Sequence, residues 1–146
     1  MKIFNRYCLL LIGLLLPSIS MAADAVKVEQ AWARSTAPGQ EVGAAYLNLE
    51  STTDATLTAV TSPSAGSIEI HRMSMNKGVM EMRKLDALPL PAGKVVKLEP
   101  GGYHLMLFDL KKSLKAGDQL EFSLSIKDKS GKSRIQQVRL PVKSGD

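Results

Sequence analysis

From Gln119 to Ile126 the chain alternates without a fault: Leu120, Phe122, Leu124 and Ile126 are apolar, and Glu121, Ser123 and Ser125 between them are polar. Successive side chains of an extended chain point to opposite faces, so one face of this segment meets a core and the other meets water. That pattern predicts a half-buried antiparallel strand. Val138, Leu140 and Val142 repeat it near the end of the chain. Ser67 to Met73, Val79 to Leu85, Lys94 to Leu98 and Tyr103 to Leu110 are further strand candidates, and Val26 to Arg34 and Val42 to Glu50 open the sheet. The punctuation agrees. Pro38-Gly39, Ser62-Pro63-Ser64-Ala65-Gly66, Asn76-Lys77-Gly78, Pro100-Gly101-Gly102, Ala116-Gly117-Asp118 and Ser130-Gly131-Lys132 read as turns. Leu88-Pro89-Leu90-Pro91 belongs to a loop or a sheet edge, because proline has no donor for a ladder. No segment carries a convincing helical period, and there is no internal repeat or linker. The expectation is one all-β domain, an antiparallel β-sandwich.

The first residues are expected to stand outside that domain. Lys2 and Arg6 precede a short apolar run, Tyr7 to Leu16; Pro17 breaks it, and Ser20-Met21-Ala22 supplies small residues where a signal peptidase reads. This is the layout of a secretory signal peptide over residues 1–22, with cleavage after Ala22 and a mature domain over residues 23–146. The run is too short for a membrane span, which takes ~20 apolar residues, and no later stretch is apolar enough, so the mature chain is not expected to span a membrane. The formal charge of +5 loses two units with Lys2 and Arg6. The remaining lysines are scattered, and no nucleic-acid motif is present. The single cysteine, Cys8, lies at the start of the apolar run and not after it, so it is misplaced for lipid attachment and leaves with the leader. The mature chain then has no thiol chemistry, no disulfide and no thiolate for a metal.

The soft donors are gathered in one stretch. Met1 and Met21 fall in the leader; Met73, Met75, Met80, Met82 and Met106, with both histidines, His71 and His104, fall between residues 71 and 106. Strand parity groups them further. His71 shares a face with Met73 and Met75, Met80 shares one with Met82, and His104 shares one with Met106, whereas Leu105 and Leu107 point the other way. A single methionine in such a domain is usually a filler of the core. Here the leucines already supply the core side, and thioethers in an exported protein are open to oxidation, so the cluster calls for a use. Thioether and neutral imidazole together suit Cu(I). Zinc prefers thiolate, imidazole and carboxylate, and calcium and magnesium want oxygen ligands. Two imidazoles and two thioethers carry no charge, so they hold a soft cation less tightly than thiolates would, which suits a carrier. Cysteines would tend to close into a disulfide in an oxidising compartment.

The spacing also resembles a known family. His71 is followed by ten residues (72–81) and Met82, then by twenty-one residues (83–103) and His104-Leu105-Met106. Ala31-Trp32-Ala33-Arg34, Gly43-Ala44-Ala45-Tyr46-Leu47 and Pro100-Gly101-Gly102-Tyr103-His104 flank these positions. In this the chain resembles the periplasmic copper chaperones called PCuAC proteins, which have a cupredoxin-like β-sandwich. The resemblance implies a monomeric periplasmic carrier of one Cu(I) per chain, with His71, Met82, His104 and Met106 as its ligands. It also implies delivery to respiratory oxidase assembly, that is, to a copper-accepting oxidase subunit at the copper centre of cytochrome c oxidase or to another copper-transfer protein. Met73, Met75 and Met80 stand outside the motif, as residues that either line the way to the site or pack. Some family members carry a C-terminal tail rich in histidine and methionine, linked to Cu(II). This chain ends Val142-Lys143-Ser144-Gly145-Asp146, and no tail-borne site is expected.

Other readings fit less well. A blue-copper electron carrier needs a cysteine thiolate beside its histidines. An interaction sandwich would leave the His/Met spacing to accident. Enzymatic use is not expected, since no carboxylate pair, Ser-His-Asp order or cysteine nucleophile suggests itself. A copper buffer or resistance protein without a client would carry the same site, and the sequence barely separates it from a chaperone.

Overall fold

The computed structural model describes residues 26–145; the expected leader over residues 1–22 lies outside the described residues. Among the described residues there are ten strands and no helix: β1 Lys27–Arg34, β2 Gly43–Glu50, β3 Ala55–Thr61, β4 Ala65–Asn76, β5 Val79–Leu85, β6 Leu88–Leu90, β7 Val95–Leu98, β8 Tyr103–Leu110, β9 Gln119–Asp128 and β10 Ser133–Lys143. With no helix described, none is long and apolar enough to cross a membrane.

The strands form one sheet in the order β5-β4-β8-β7-β2-β1-β10-β9-β3-β6. A further pairing of Val60 in β3 with Ile68 in β4 closes the sheet on itself. The result is a flattened barrel, a sandwich of two layers over one core. Leu47, Leu49, Ile70, Leu105 and Leu107 from one layer meet Leu57, Val60, Leu120, Phe122, Leu124, Ile126 and Leu140 from the other. The alternation of β9 is realised as read: its four apolar residues are buried and Glu121 is exposed. The expected all-β sandwich is thus the architecture, although it is not purely antiparallel. β1 runs parallel to β10 through Ala33–Val142 and Arg34–Lys143. These are the first and last strands, and no hairpin forces their relative direction. Two strands, β6 and β3, lie outside the expected set. β6 is the Pro89 segment, read as a loop or an edge, and it is an edge that pairs only with β3. β3 lacks a regular alternation in the sequence because a bulge between Leu57 and Ala59 interrupts it.

One irregularity places the site. β7 and β8 both pair with β2, the former from Leu47 to Glu50 and the latter from Gly43 to Ala45. They therefore lie end to end along β2, and Glu99 to Gly102 between them forms an excursion from the sheet. Gly101 at its apex has φ +86, a backbone region that glycine adopts freely and other residues adopt at a cost. The excursion is pinned by Glu99 N–H donating to the Tyr103 carbonyl at 2.8 Å and Met73 N–H donating to the Gly102 carbonyl at 3.0 Å.

Phe122 is the bulkiest side chain with no exposure. Phe122→Ala should lower stability by about 3–5 kcal/mol. Urea denaturation would read this as a fall in the midpoint with little change of slope.

Candidate metal centre

β5, β4 and β8 lie side by side, and their register sets the donors out in rows. His71 of β4 is opposite His104 of β8 and Lys84 of β5. One row further along β4, Met73 is opposite Met82, and beyond that Met75 is opposite Met80. In the other direction Glu69 is opposite Met106, which is in turn opposite Ala44 of β2. Directly opposed residues share a face. The alternate pairs, Ile70 with Leu105 and Ile68 with Leu107, face the core. All seven soft or borderline donors of residues 71–106 therefore lie on the outward face; parity expects this of His104 and Met106, and of the other five only which of them share a face.

The four expected ligands differ in exposure. Met82 is 46% exposed and Met106 is half-buried. His104 retains only 5% of its surface, although it points away from the core. Sequence reading placed it on the open side and missed its cover. That cover comes from distant segments: Pro100 and Gly101 of the excursion, and Arg34 and Tyr46 of β1 and β2, line one open pocket with it. Met82, Met106 and Met73 line the same pocket. His71 is not on that lining, but its ring centroid lies 5.7 Å from that of His104. Met73, outside the expected ligand set, is thus placed much like Met82. Tyr46 is held by Trp32, with ring centroids 4.7 Å apart, and the Arg34 guanidinium lies 5.9 Å from the Tyr46 centroid. A fixed positive charge beside such a pocket loosens its hold on a cation.

Hydrogen bonds settle which nitrogen of each imidazole is free. His71 Nε2 lies 2.8 Å from Glu69 Oε2. An ionised carboxylate can only accept, so Nε2 carries the proton and donates. Glu69 also accepts from Lys84 Nζ at 2.8 Å. The Lys84 hydrogen bond first, and then that of His71, hold the Glu69 carboxyl below its ordinary value. The acceptor thus stays ionised until the pH has fallen through that lowered range, where its contribution is lost. With Nε2 protonated, His71 Nδ1 keeps a lone pair, and this atom is buried with no hydrogen-bond partner. An orphaned buried acceptor of this kind costs about 1–3 kcal/mol. His104 is the converse. Its Nδ1 lies 3.2 Å from the Gly102 carbonyl, which can only accept, so Nδ1 donates and Nε2 is free. A protein group that binds one ring nitrogen in this way fixes the ring for a Lewis acid at the other. Among the described residues no group of three or more His, Cys, Asp or Glu could hold a metal ion. A cation held on this face would need the thioethers, and that requirement favours a soft ion.

Sequence reading missed Glu69, though its position two residues before His71 puts it on the same face. Arg34 and Tyr46 lie within the flanks that carry the family resemblance, but nothing in the sequence gave them a place at the pocket. Long-range nitrogen NMR of the apo chain should find His71 as the Nε2–H tautomer and His104 as the Nδ1–H tautomer. Glu69→Ala should release His71 into a tautomer mixture and leave His104 unchanged. Both rings in the same tautomer, indifferent to Glu69, would contradict this geometry.

Residues 26–142 match the model of the LpqE-like family, described as "Putative lipoprotein LpqE-like". "Putative lipoprotein Lxx21020" of Leifsonia xyli subsp. xyli (strain CTCB07) is 34% identical over 124 residues, covering 83% of this chain and 71% of that protein. Among solved structures, the apo PCuAC domain from PmoF1 superposes with TM-score 0.66 at 27% identity, covering 85% of this chain and 98% of that one. The Cu(I) form of DR1885 from Deinococcus radiodurans superposes with TM-score 0.58 at 27% identity, covering 79% of this chain and 76% of that one. By the extent of the family match and the identity to this relative, the chain belongs to the LpqE-like family, and it shares its fold with PCuAC domains.

Proposed function

We propose that this chain is an exported copper carrier that holds one Cu(I) per monomer through His71 Nδ1, His104 Nε2 and the thioethers of Met82 and Met106. The observation that carries the reading is the pair of imidazoles beside the thioethers, each ring fixed by a hydrogen bond at one nitrogen with the other left free. The likeness to the Cu(I) form of DR1885 supports the choice of ion. Cu(I) is cargo here, so the site must release it. Neutral donors, a ligand as exposed as Met82, and the Arg34 charge at the rim all favour release. Met82 is assigned ahead of Met73 by the motif spacing alone, since both reach the pocket.

Delivery to respiratory oxidase assembly, with the copper centre of cytochrome c oxidase as recipient, and a periplasmic location after cleavage at Ala22 belong to the same proposal. They rest on the PCuAC resemblance and the layout of residues 1–22. The competing reading is a periplasmic copper buffer. The two separate on mixing the Cu(I)-loaded chain with the soluble copper domain of an oxidase: a chaperone hands the metal over faster than free Cu(I) dissociates, and a buffer does not.

The ligand set is tested by chelator competition under anaerobic conditions. The wild-type chain should bind one tight Cu(I) per monomer. Met82→Leu removes a donor at a partly exposed position with little change of volume, so the fold should survive while affinity falls roughly tenfold or more. This is a cleaner variant than His104→Ala, which would hollow a covered position. Imidazole must be unprotonated to bind, so affinity should fall as the solution is acidified from neutrality. Constant affinity down to about pH 5 would argue against histidine ligation.

A further inference from the structure

The β4–β5 hairpin reaches beyond the body of the sheet. β8 pairs with β4 only as far as Arg72, and Met73 N–H still reaches the Gly102 carbonyl, so from Ser74 to Glu81 the hairpin is two-stranded. Its turn is tight: Asn76 pairs with Val79, and Lys77 and Gly78 between them have φ +49 and +80, the two positive values of a type I′ turn. The pair next to this turn is Met75 with Met80, 66% and 61% exposed. These side chains cover no core, so packing does not account for them. They stand on the same face as His71, two rows further out. Soft donors thus occur in successive cross-strand pairs, Met75 with Met80, Met73 with Met82 and His71 with His104, leading from the tip to the pocket. Neighbouring pairs are two residues apart, about 6.8 Å along a strand, within the reach of flexible methionine side chains.

We propose that Met75 and Met80 form a second, weaker site for a soft monovalent cation at the hairpin tip, where Cu(I) enters and leaves the pocket. The inference rests on the Cu(I) reading of the main site. Opposed side chains on a strand pair start about 4.5–5.5 Å apart at Cβ, so two thioethers can close on one ion from opposite sides. Hard ions find little there. The nearby carboxylate, Glu81, belongs to the other face and is engaged by Asn76 Nδ2 and Arg83, each at 3.1 Å. The movement is ligand exchange: a Cu–S bond to Met73 or Met82 forms as one to Met75 or Met80 breaks. Copper stays Cu(I), and no proton moves because a thioether carries none.

The test adds one and then two equivalents of Cu(I) anaerobically to the chain labelled with carbon-13 at the methionine methyls. The first equivalent should shift Met82 and Met106, and the second should shift Met75 and Met80. The double variant Met75→Leu/Met80→Leu should keep the tight first equivalent, lose the second, and surrender Cu(I) to a stronger chelator roughly tenfold more slowly. Met75 and Met80 methyls unmoved by the second equivalent would overturn the site. Release at the wild-type rate from the double variant would overturn its role in transfer. Failure of the first equivalent to shift Met82 and Met106 would count against the main site instead, and the shifts of Met75 and Met80 would still be read independently.

Discussion

The site depends on the pairing of β4 with β8. In that ladder Ile70 meets Leu105 inside the core, and His71 meets His104 outside it. Because side chains alternate, a one-residue slip of β8 would turn His104 inward and expose Leu105 and Leu107, and the same slip of β4 would turn His71 inward and expose Ile70. Burial of Ile70, Leu105 and Leu107 therefore fixes where the imidazoles stand. The fold and the donor face are set by the same contacts, and a mutation that loosens the core strands also loosens the geometry of the donors.

Two features on the outer face turn an ordinary sheet surface into a place for a cation. The excursion between β7 and β8 brings the Gly102 carbonyl to His104 Nδ1 and holds Met73 through its backbone N–H. The Glu69–Lys84 ion pair brings a carboxylate to His71 Nε2. Each ring thereby keeps one nitrogen for a Lewis acid. The free Nδ1 of His71 is a local cost that a bound ion would remove. The thioethers beside these rings are neutral and partly exposed, a combination that favours exchange over permanent retention.

Much of this was legible in the chain itself. Regular alternation exposed β9 and β10, and turn residues bounded β5 and β8 at the residues observed. Parity alone put His104 and Met106 on an outward face and grouped His71 with Met73 and Met75. β3 was hidden by its bulge, which puts Leu57 and Val60 out of phase with one another. The cover over His104 was hidden because Arg34, Tyr46 and Gly101 reach it through tertiary closure, which has no local signature. The same holds for Met73: its approach to the pocket depends on how the hairpin twists against the excursion. Spacing can favour Met82 over Met73 only through the family motif.

X-ray absorption at the copper edge of the chain loaded with one equivalent of Cu(I) bears most directly on the site. The proposed ligand set predicts a Cu(I) edge with two nitrogen and two sulfur neighbours, and the loss of one sulfur neighbour in Met82→Leu. A first shell of nitrogen and oxygen alone, or one unchanged by Met82→Leu and altered by Met73→Leu, would contradict the assignment.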